Sequence, residues 1–399
     1  MAEPSDAPRR GVWTRVRAAF ARFRFARSSE TFSLVGSAVV VGALAGLAAV
    51  AFDAMVGGTG RWVAWLQGSV GFVPGAILTI LTPAVGGLLI TPIVLRVAPE
   101  ARGSGIPQVM VAVSNLGGRV SRGLLLWRPL ATAVSIGSGA SLGTEGPVVQ
   151  LGASLSNLVA SVFRLNEERR RNLVATAAAG GIAATFNAPI AGVLFALEVI
   201  LGQFQGRYFA SVVIGSVSAT AVSRTLLGDV PAFAIPDDYV LGSHLELPIF
   251  LLLGVLASFL AVAFIRAMVG AEDVLNRFQV PTWLRPATGG LVVGLLALVL
   301  PQVLGRGYDV TGSILNEQTV APLLLGALLL GKMLATAASI GSWGSGGIFA
   351  PVLLVGAAFG ALVGEAAQWA LPAWDLRAGP YALVGMAAVF AGGTRAPMR

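Results

Sequence analysis

Two stretches constrain this chain more than anything else in it: residues 128–153, RPLATAVSIGSGASLGTEGPVVQLGA, and residues 332–357, KMLATAASIGSWGSGGIFAPVLLVGA. Ser135 and Ser339 lie 204 positions apart (339 less 135). At that spacing, without a gap, LATA faces LATA and SIGS faces SIGS. Gly143 then faces Gly347, Pro147-Val148 faces Pro351-Val352, and Gly152-Ala153 faces Gly356-Ala357. Composition bias scatters Gly and Ala matches but does not order them in this way. The chain reads as two homologous halves. Glu145 falls opposite Phe349, so the halves share an architecture and differ at one acid.

Each stretch carries a local instruction. Proline suits the first turn of a helix, where its missing N–H costs nothing. The sequence predicts a helix from about Pro147, preceded by a non-helical glycine segment containing Gly137, Gly139 and Gly143. Such a start leaves unpaired N–H groups and the positive end of the helix dipole facing back along the chain. That is an anion site for any anion that can reach it, and Glu145 beside it is itself an anion.

The surroundings are those of a membrane. The chain of 399 residues is 55% hydrophobic and 12% charged, too little charge for a soluble protein of this length. Apolar runs of about 20 residues recur, which is transmembrane length. Fifty-one glycines fit close helix contact in lipid. There is no cysteine, which excludes disulfides and thiolate chemistry. The single histidine, His244, lies in a polar connection, so no His-based metal site is expected, and no cofactor. The formal charge of +8 is uneven, with Arg9, Arg10, Arg15, Arg17, Arg22, Arg24 and Arg27 all near the start. No short apolar core with a cleavage site precedes the first long span, so this is not a signal peptide. It reads as a cytoplasmic basic arm on anionic lipid heads, not as a nucleic-acid surface.

Four regions follow: the basic arm at 1–31, a first membrane repeat at 32–227, a polar connection at 228–246, and a second repeat at 247–399. Spans are expected at about 32–54, 73–95, 210–227, 247–269 and 287–304. RVSR at 119–122 and RLNEERRRN at 164–172 read as charged loops on the side of the N-terminus. The run at 177–202 carries Asn187-Ala188-Pro189 and is expected to be a broken span. Arg395-Ala396-Pro397 looks like its second copy, after which the sequence stops, so the second repeat is expected to be truncated at its C-terminal end.

Small-residue turns followed by a proline recur at Pro107, Pro147, Pro189 and Pro351. Irregular backbone at membrane depth is tolerated where it is buried in protein or lines a cavity. Broken helices in repeated halves, with N-termini facing inward, hold anions at the midplane. Ser104 adds a hydroxyl beside one such turn. The plainer alternative is that the glycines serve packing and the prolines kink. An acid in the bilayer points to function, and Glu145 is read so. Glu198, in ALEVILG, is read as structural, an acid bonded to backbone near a helix end.

GSGIP at 103–107, G-x-EGP at 143–147 and GGIFAP at 346–351 together resemble the three signature segments of the CLC family of chloride channels and proton/chloride antiporters. FNAPIAGVLFALE at 186–198 is similar to the family as well, and the resemblance runs from about residue 33 to the end. It implies an all-α polytopic membrane protein of two inverted-repeat halves built from tilted and broken helices. It implies a homodimer in the cell membrane, each subunit with its own pore. Carried over by position, Glu145 is the gating residue, and Ser104, Gly105, Ile106, Gly146, Ile348 and Phe349 form the site for chloride or a related halide.

Three positions depart from the family pattern. Thr144 stands where the family often has Arg, which predicts a missing cation beside the gate. Val199 stands where antiporters commonly have their inner proton-transfer glutamate, as in channel members. The family's pore tyrosine belongs to a last helix that this sequence does not contain. Val199 tips the reading toward a voltage- or pH-dependent chloride channel over a proton-coupled antiporter. A non-conducting scaffold is a further alternative. An intramembrane enzyme is excluded by the absence of Cys, of HExxH and of a suitable aspartate pair.

Overall fold

The computed structural model describes residues 30–394 except 203–205, 237–238, 240–243, 319–320 and 375. The basic arm before Glu30 and the Arg395-Ala396-Pro397 triplet lie outside the described residues. What is described is helical, with no strand longer than an isolated bridge.

The first repeat opens with two long helices, α1 (Glu30–Gly68) and α2 (Phe72–Pro92). The short α3 (Ile106–Asn115) and α4 (Leu124–Gly137) follow, then α5 (Glu145–Val162) and α6 (Glu167–Phe186). A broken segment, α7 (Pro189–Phe195), leads to α8 (Gly206–Leu227). The second repeat begins with α9 (Leu247–Arg277) and α10 (Arg285–Val299) and continues with α11 (Tyr308–Leu315) and α12 (Pro322–Gly341). It closes with α13 (Phe349–Ala370) and α14 (Ala378–Thr394).

Among the described residues, six helices are long and apolar enough to cross a membrane. Apolar side chains face outward, with Leu251 73% and Leu323 86% exposed, while Arg128 and Lys332 are fully buried. Polar groups inside and apolar groups outside is the arrangement lipid demands and water forbids.

Several boundaries differ from the sequence reading. α1 runs on to Gly68, past the expected end near residue 54. No proline interrupts it, and Thr59 Oγ1 bonds back to the Met55 carbonyl at 2.9 Å across its glycines. Of the charged loop at 164–172, only the part before Glu167 is loop. Asn166 Oδ1 accepts the Arg169 N–H at 3.0 Å, and Glu167 and Glu168 occupy the first turn, so the segment starts α6. α5 and α13 begin two residues before Pro147 and Pro351, which stand third in their helices. The third N–H has no partner inside a helix either, so proline is tolerated there.

The halves are joined about a pseudo-two-fold axis. Thr132 Oγ1 meets Ser345 Oγ at 3.0 Å, and the equivalent residues Thr336 and Ser141 meet at 3.0 Å. α2 packs on α10 in the same reciprocal way. A Cβ on Gly87 would lie 2.2 Å from the Pro286 carbonyl oxygen, and one on Gly290 would lie 2.1 Å from that of Pro83. Only glycine admits so close a backbone approach. An axis of this kind relates the two repeats as inverted copies and puts α5 and α13 on either side of it.

Candidate functional site

The three glycine turns meet at the axis. Gly143 N–H donates to the Gly347 carbonyl at 2.7 Å, and Gly347 N–H donates to that of Gly143 at 2.6 Å. Gly103 N–H donates to the Gly344 carbonyl at 2.9 Å, and Gly346 N–H to that of Gly103 at 3.3 Å. GSGIP, GTEGP and GGIFAP are therefore stitched together by backbone alone.

Three helices start from these turns. The residues preceding α3, α5 and α13 are Gly105, Thr144 and Ile348, and none makes a side-chain capping bond. The first-turn amides thus have no intrahelical partner and none from the side chain of the preceding residue. Gly146 is where the starts converge. A Cβ there would lie 1.9 Å from the Ser104 carbonyl oxygen and 3.6 Å from Gly347 Cα. Gly105 has φ 86°, a left-handed conformation that glycine adopts without strain. Ser104 is half-buried beside it. Ile106 and Phe349 share one apolar cluster with α6 and α7, and Ile348 packs against it. The Phe349 ring meets Phe195 edge-on at 5.6 Å and Phe390 at 4.6 Å. All six residues expected around the anion are brought together.

Glu145 is the first residue of α5 and is fully buried. Its carboxylate turns toward α13. A Cβ on Gly143 would lie 2.1 Å from Oε2, and one on Gly347 would lie 3.2 Å from it. Its own N–H and that of Ala350 face the carboxylate. Oε2 has no hydrogen-bond partner among the described residues. Oε1 accepts the hydroxyl of Tyr308.

Tyr308 is a residue the motif reading missed. VAPEARGSG at 97–105 and VLPQVLGRG at 299–307 match at a spacing of 202 (305 less 103). The backbones agree: Ala98 and Leu300 have φ/ψ of −145/77° and −135/76°, and Gly105 and Gly307 have φ of 86° and 81°. Tyr308 therefore starts α11 as Ile106 starts α3. The two-residue change of register and the loss of proline hid the match.

Arg306, in the same turn, pairs with Asp53 of α1 and stands 5.0 Å over the Tyr308 ring. It is a charged neighbour of Glu145. The expectation that Thr144 leaves the gate without a cation is thus corrected: the opposite half supplies one. Phe233 meets the Tyr308 ring edge-on at 5.5 Å, and Phe186 lies 6.3 Å from it.

Buried cations hold both glycine turns. Arg128 Nη1 donates to the Ala101 carbonyl, and Nη2 donates to that of Gly103 at 2.7 Å. Its counterpart Lys332 donates to the carbonyls of Val303 and Gly305 at 2.9 and 2.7 Å. Each cation fixes the turn before α3 or α11.

Glu198 and Val199 sit in a π-helical turn, Ala196–Ile200, that follows α7. Single π turns inside helices are frequent at functional sites. Val199 packs against the cluster that holds Ile106 and Phe349. Glu198 is half-buried. His244 is exposed in a short 3-10 turn, His244–Glu246.

Residues 86–399 match the family described as voltage gated chloride channel. The chain belongs to the voltage gated chloride channel family. It is 34% identical over 388 residues to the H+/Cl− exchange transporter ClcA of Vibrio parahaemolyticus, covering 93% of this chain and 81% of that relative. It is also 34% identical over 386 residues to ClcA of Vibrio cholerae, with the same coverage. A crystal structure of a slow cyanobacterial Cl−/H+ antiporter superposes with a TM-score of 0.84 at 26% identity, over 92% of this chain and 87% of that one. As a member of this family, the protein is a multi-pass membrane protein, and its two-repeat helical fold is the family's.

Proposed function

We propose that this protein moves chloride across a membrane in exchange for protons, with Glu145 as the gate. The observation that carries this reading is the position of the Glu145 carboxylate at the head of α13, where three uncapped helix starts meet. Helix N-termini favour negative charge, and an anion and an ionised carboxylate compete for the same donors. Ionised Glu145 occupies the path, and protonated Glu145 leaves it. The central anion is held by Ser104 and by the amides around Gly105, Ile106, Gly146, Ile348 and Phe349.

Exchange replaces the channel reading that Val199 suggested. The relatives at 34% identity are named as exchangers, and the similar solved structure is of an antiporter. Val199 still favours a passive pathway as the second reading, because no side chain there carries a proton. A homodimer with one pathway per subunit is part of the proposal.

The test uses the protein in liposomes with a chloride gradient and a pH electrode outside. Chloride moving down its gradient drives protons uphill, and Glu145→Gln abolishes the proton movement while chloride flux persists and loses its pH dependence. Chloride flux without proton movement in the parent selects the channel. No flux of either ion selects the scaffold.

A further inference from the structure

Three observations converge on Tyr308. Its hydroxyl is the side-chain donor to Glu145, a carboxylate that is otherwise shut inside the protein. Its ring is held from several directions, by Phe233 at 5.5 Å, by Phe186 at 6.3 Å, and by the Arg306 guanidinium at 5.0 Å. Its turn is fixed from behind, because Lys332 binds the Gly305 carbonyl and Gly307 adopts φ 81°. A tyrosine that only filled space would need none of the hydroxyl geometry. The contact also crosses between the halves, since Glu145 belongs to the first repeat and Tyr308 to the second.

We propose that Tyr308 is the latch of the Glu145 gate: its hydroxyl holds the ionised carboxylate at the head of α13, and the Arg306–Asp53 pair holds Tyr308 in position. This rests on the gate role proposed for Glu145. The titratable and charged groups facing the carboxylate among the described residues are Tyr308 and Arg306, with Asp53 behind Arg306 on α1. From α13 the backbone amide of Ala350 faces it. A phenol donates its proton to a carboxylate far better than to a carboxylic acid that must itself donate. The latch therefore grips the ionised gate and releases the protonated one. Arg306 is a positioning residue, acting through the Tyr308 ring and the field at the carboxylate.

The latch sets how readily the gate opens at a given pH. Losing one hydrogen bond to a charged group shifts such an equilibrium by about tenfold. Because the bond favours the ionised form, its loss lets protonation occur at higher pH.

The experiment is chloride efflux from liposomes across a pH series for the parent, Tyr308→Phe, Arg306→Gln, Glu145→Gln and the double variant Glu145→Gln/Tyr308→Phe. Tyr308→Phe keeps the ring and its packing. It should raise efflux at neutral pH by about tenfold and move half-maximal efflux up by about one pH unit. Arg306→Gln should shift the profile in the same direction. In the Glu145→Gln background, Tyr308→Phe should change nothing, since the latch has no charge to hold. A Phe variant with the parent's profile, or one that changes efflux equally in both backgrounds, overturns the latch alone. An Arg306→Gln profile identical to the parent's overturns the positioning role. A Glu145→Gln variant that keeps the parent's pH dependence removes the gate, and the latch with it.

Discussion

Gly143 and Gly347 exchange both of their backbone hydrogen bonds, at 2.7 and 2.6 Å, although each is the other's counterpart in the repeat. Equivalent residues pair with each other only where the axis relating the halves passes between them. The positions just beyond the pair are where the halves diverge, Glu145 on one side and Phe349 on the other. The same divergence recurs around the axis. Ser104 and Ile106 of the first repeat face Arg306 and Tyr308 of the second. Gly139, with φ 117°, corresponds to Trp343, with φ 71°, which lies between the guanidinium groups of Arg102 and Arg285 at 4.8 and 4.5 Å. Symmetry builds the frame, and the two halves differ chemically at the positions around it.

Anion binding is the first expectation. Ser104 and the amides near Phe349 should share one dehydrated halide, because they stand at uncapped helix starts from opposite halves. Anomalous scattering from bromide-soaked crystals should place bromide between the two segments. Density remote from both would sink the assignment.

Gly146 tests the convergence of the helix starts. A methyl group there meets the Ser104 carbonyl oxygen at 1.9 Å, and the obstacle is backbone, which cannot rotate away. Gly146→Ala should cost about 3 kcal/mol or more, from forced separation of α3 and α5. Thermal unfolding in detergent should show a lowered midpoint, and loss of halide binding should accompany it. An unfolding profile like the parent's would show that the starts are not so closely packed.

Much of this was legible in the residues. The 204-residue repeat marks α5 and α13 as counterparts, and GSGIP, GTEGP and GGIFAP mark the turns from which α3, α5 and α13 start. What stayed hidden has physical causes. Tyr308 escaped because its turn matches at a different register and lacks the proline that flags its counterpart. The cation beside Glu145 escaped because side chains distant in sequence are joined only by the fold: Arg306 reaches Asp53 across 253 positions. The start of α6 was missed because charged residues suggested a loop, whereas Glu167 and Glu168 are there to suit a helix N-terminus.

Arg128 and Lys332 should prove interchangeable in one respect. Each spends its donors on two carbonyls of a glycine turn, so the turn needs a buried donor pair. Lys332→Met would leave the Val303 and Gly305 carbonyls without these donors, at about 1–3 kcal/mol for each unsatisfied group. Lys332→Arg should fold nearly as well as the parent, since the first repeat uses arginine for the same task. Melting temperatures of the two variants in detergent give the comparison. Equal melting of Lys332→Met and the parent would mean that the carbonyls find other partners.

Side-chain length at position 145 makes the last prediction. Glu145 reaches the Tyr308 hydroxyl with Oε1 and the head of α13 with Oε2, using both carboxylate oxygens. Aspartate is shorter by one C–C bond, roughly 1.5 Å. It keeps the charge but cannot satisfy both contacts from the same backbone position. Glu145→Asp should therefore block the path less completely, giving more chloride flux than the parent at neutral pH. It should still titrate, because a carboxylate remains: ionised Asp obstructs, and falling pH protonates it and raises flux. Glu145→Gln has the parent's reach and no charge to lose, so its flux should be high and flat across pH. The expected order at neutral pH is Gln, then Asp, then the parent, with steps of up to about tenfold, the scale of one charged hydrogen bond. Chloride efflux from liposomes, recorded over the same pH series for all three proteins, provides the measurement. An Asp variant as closed as the parent at neutral pH would show that reach is not what seats the gate.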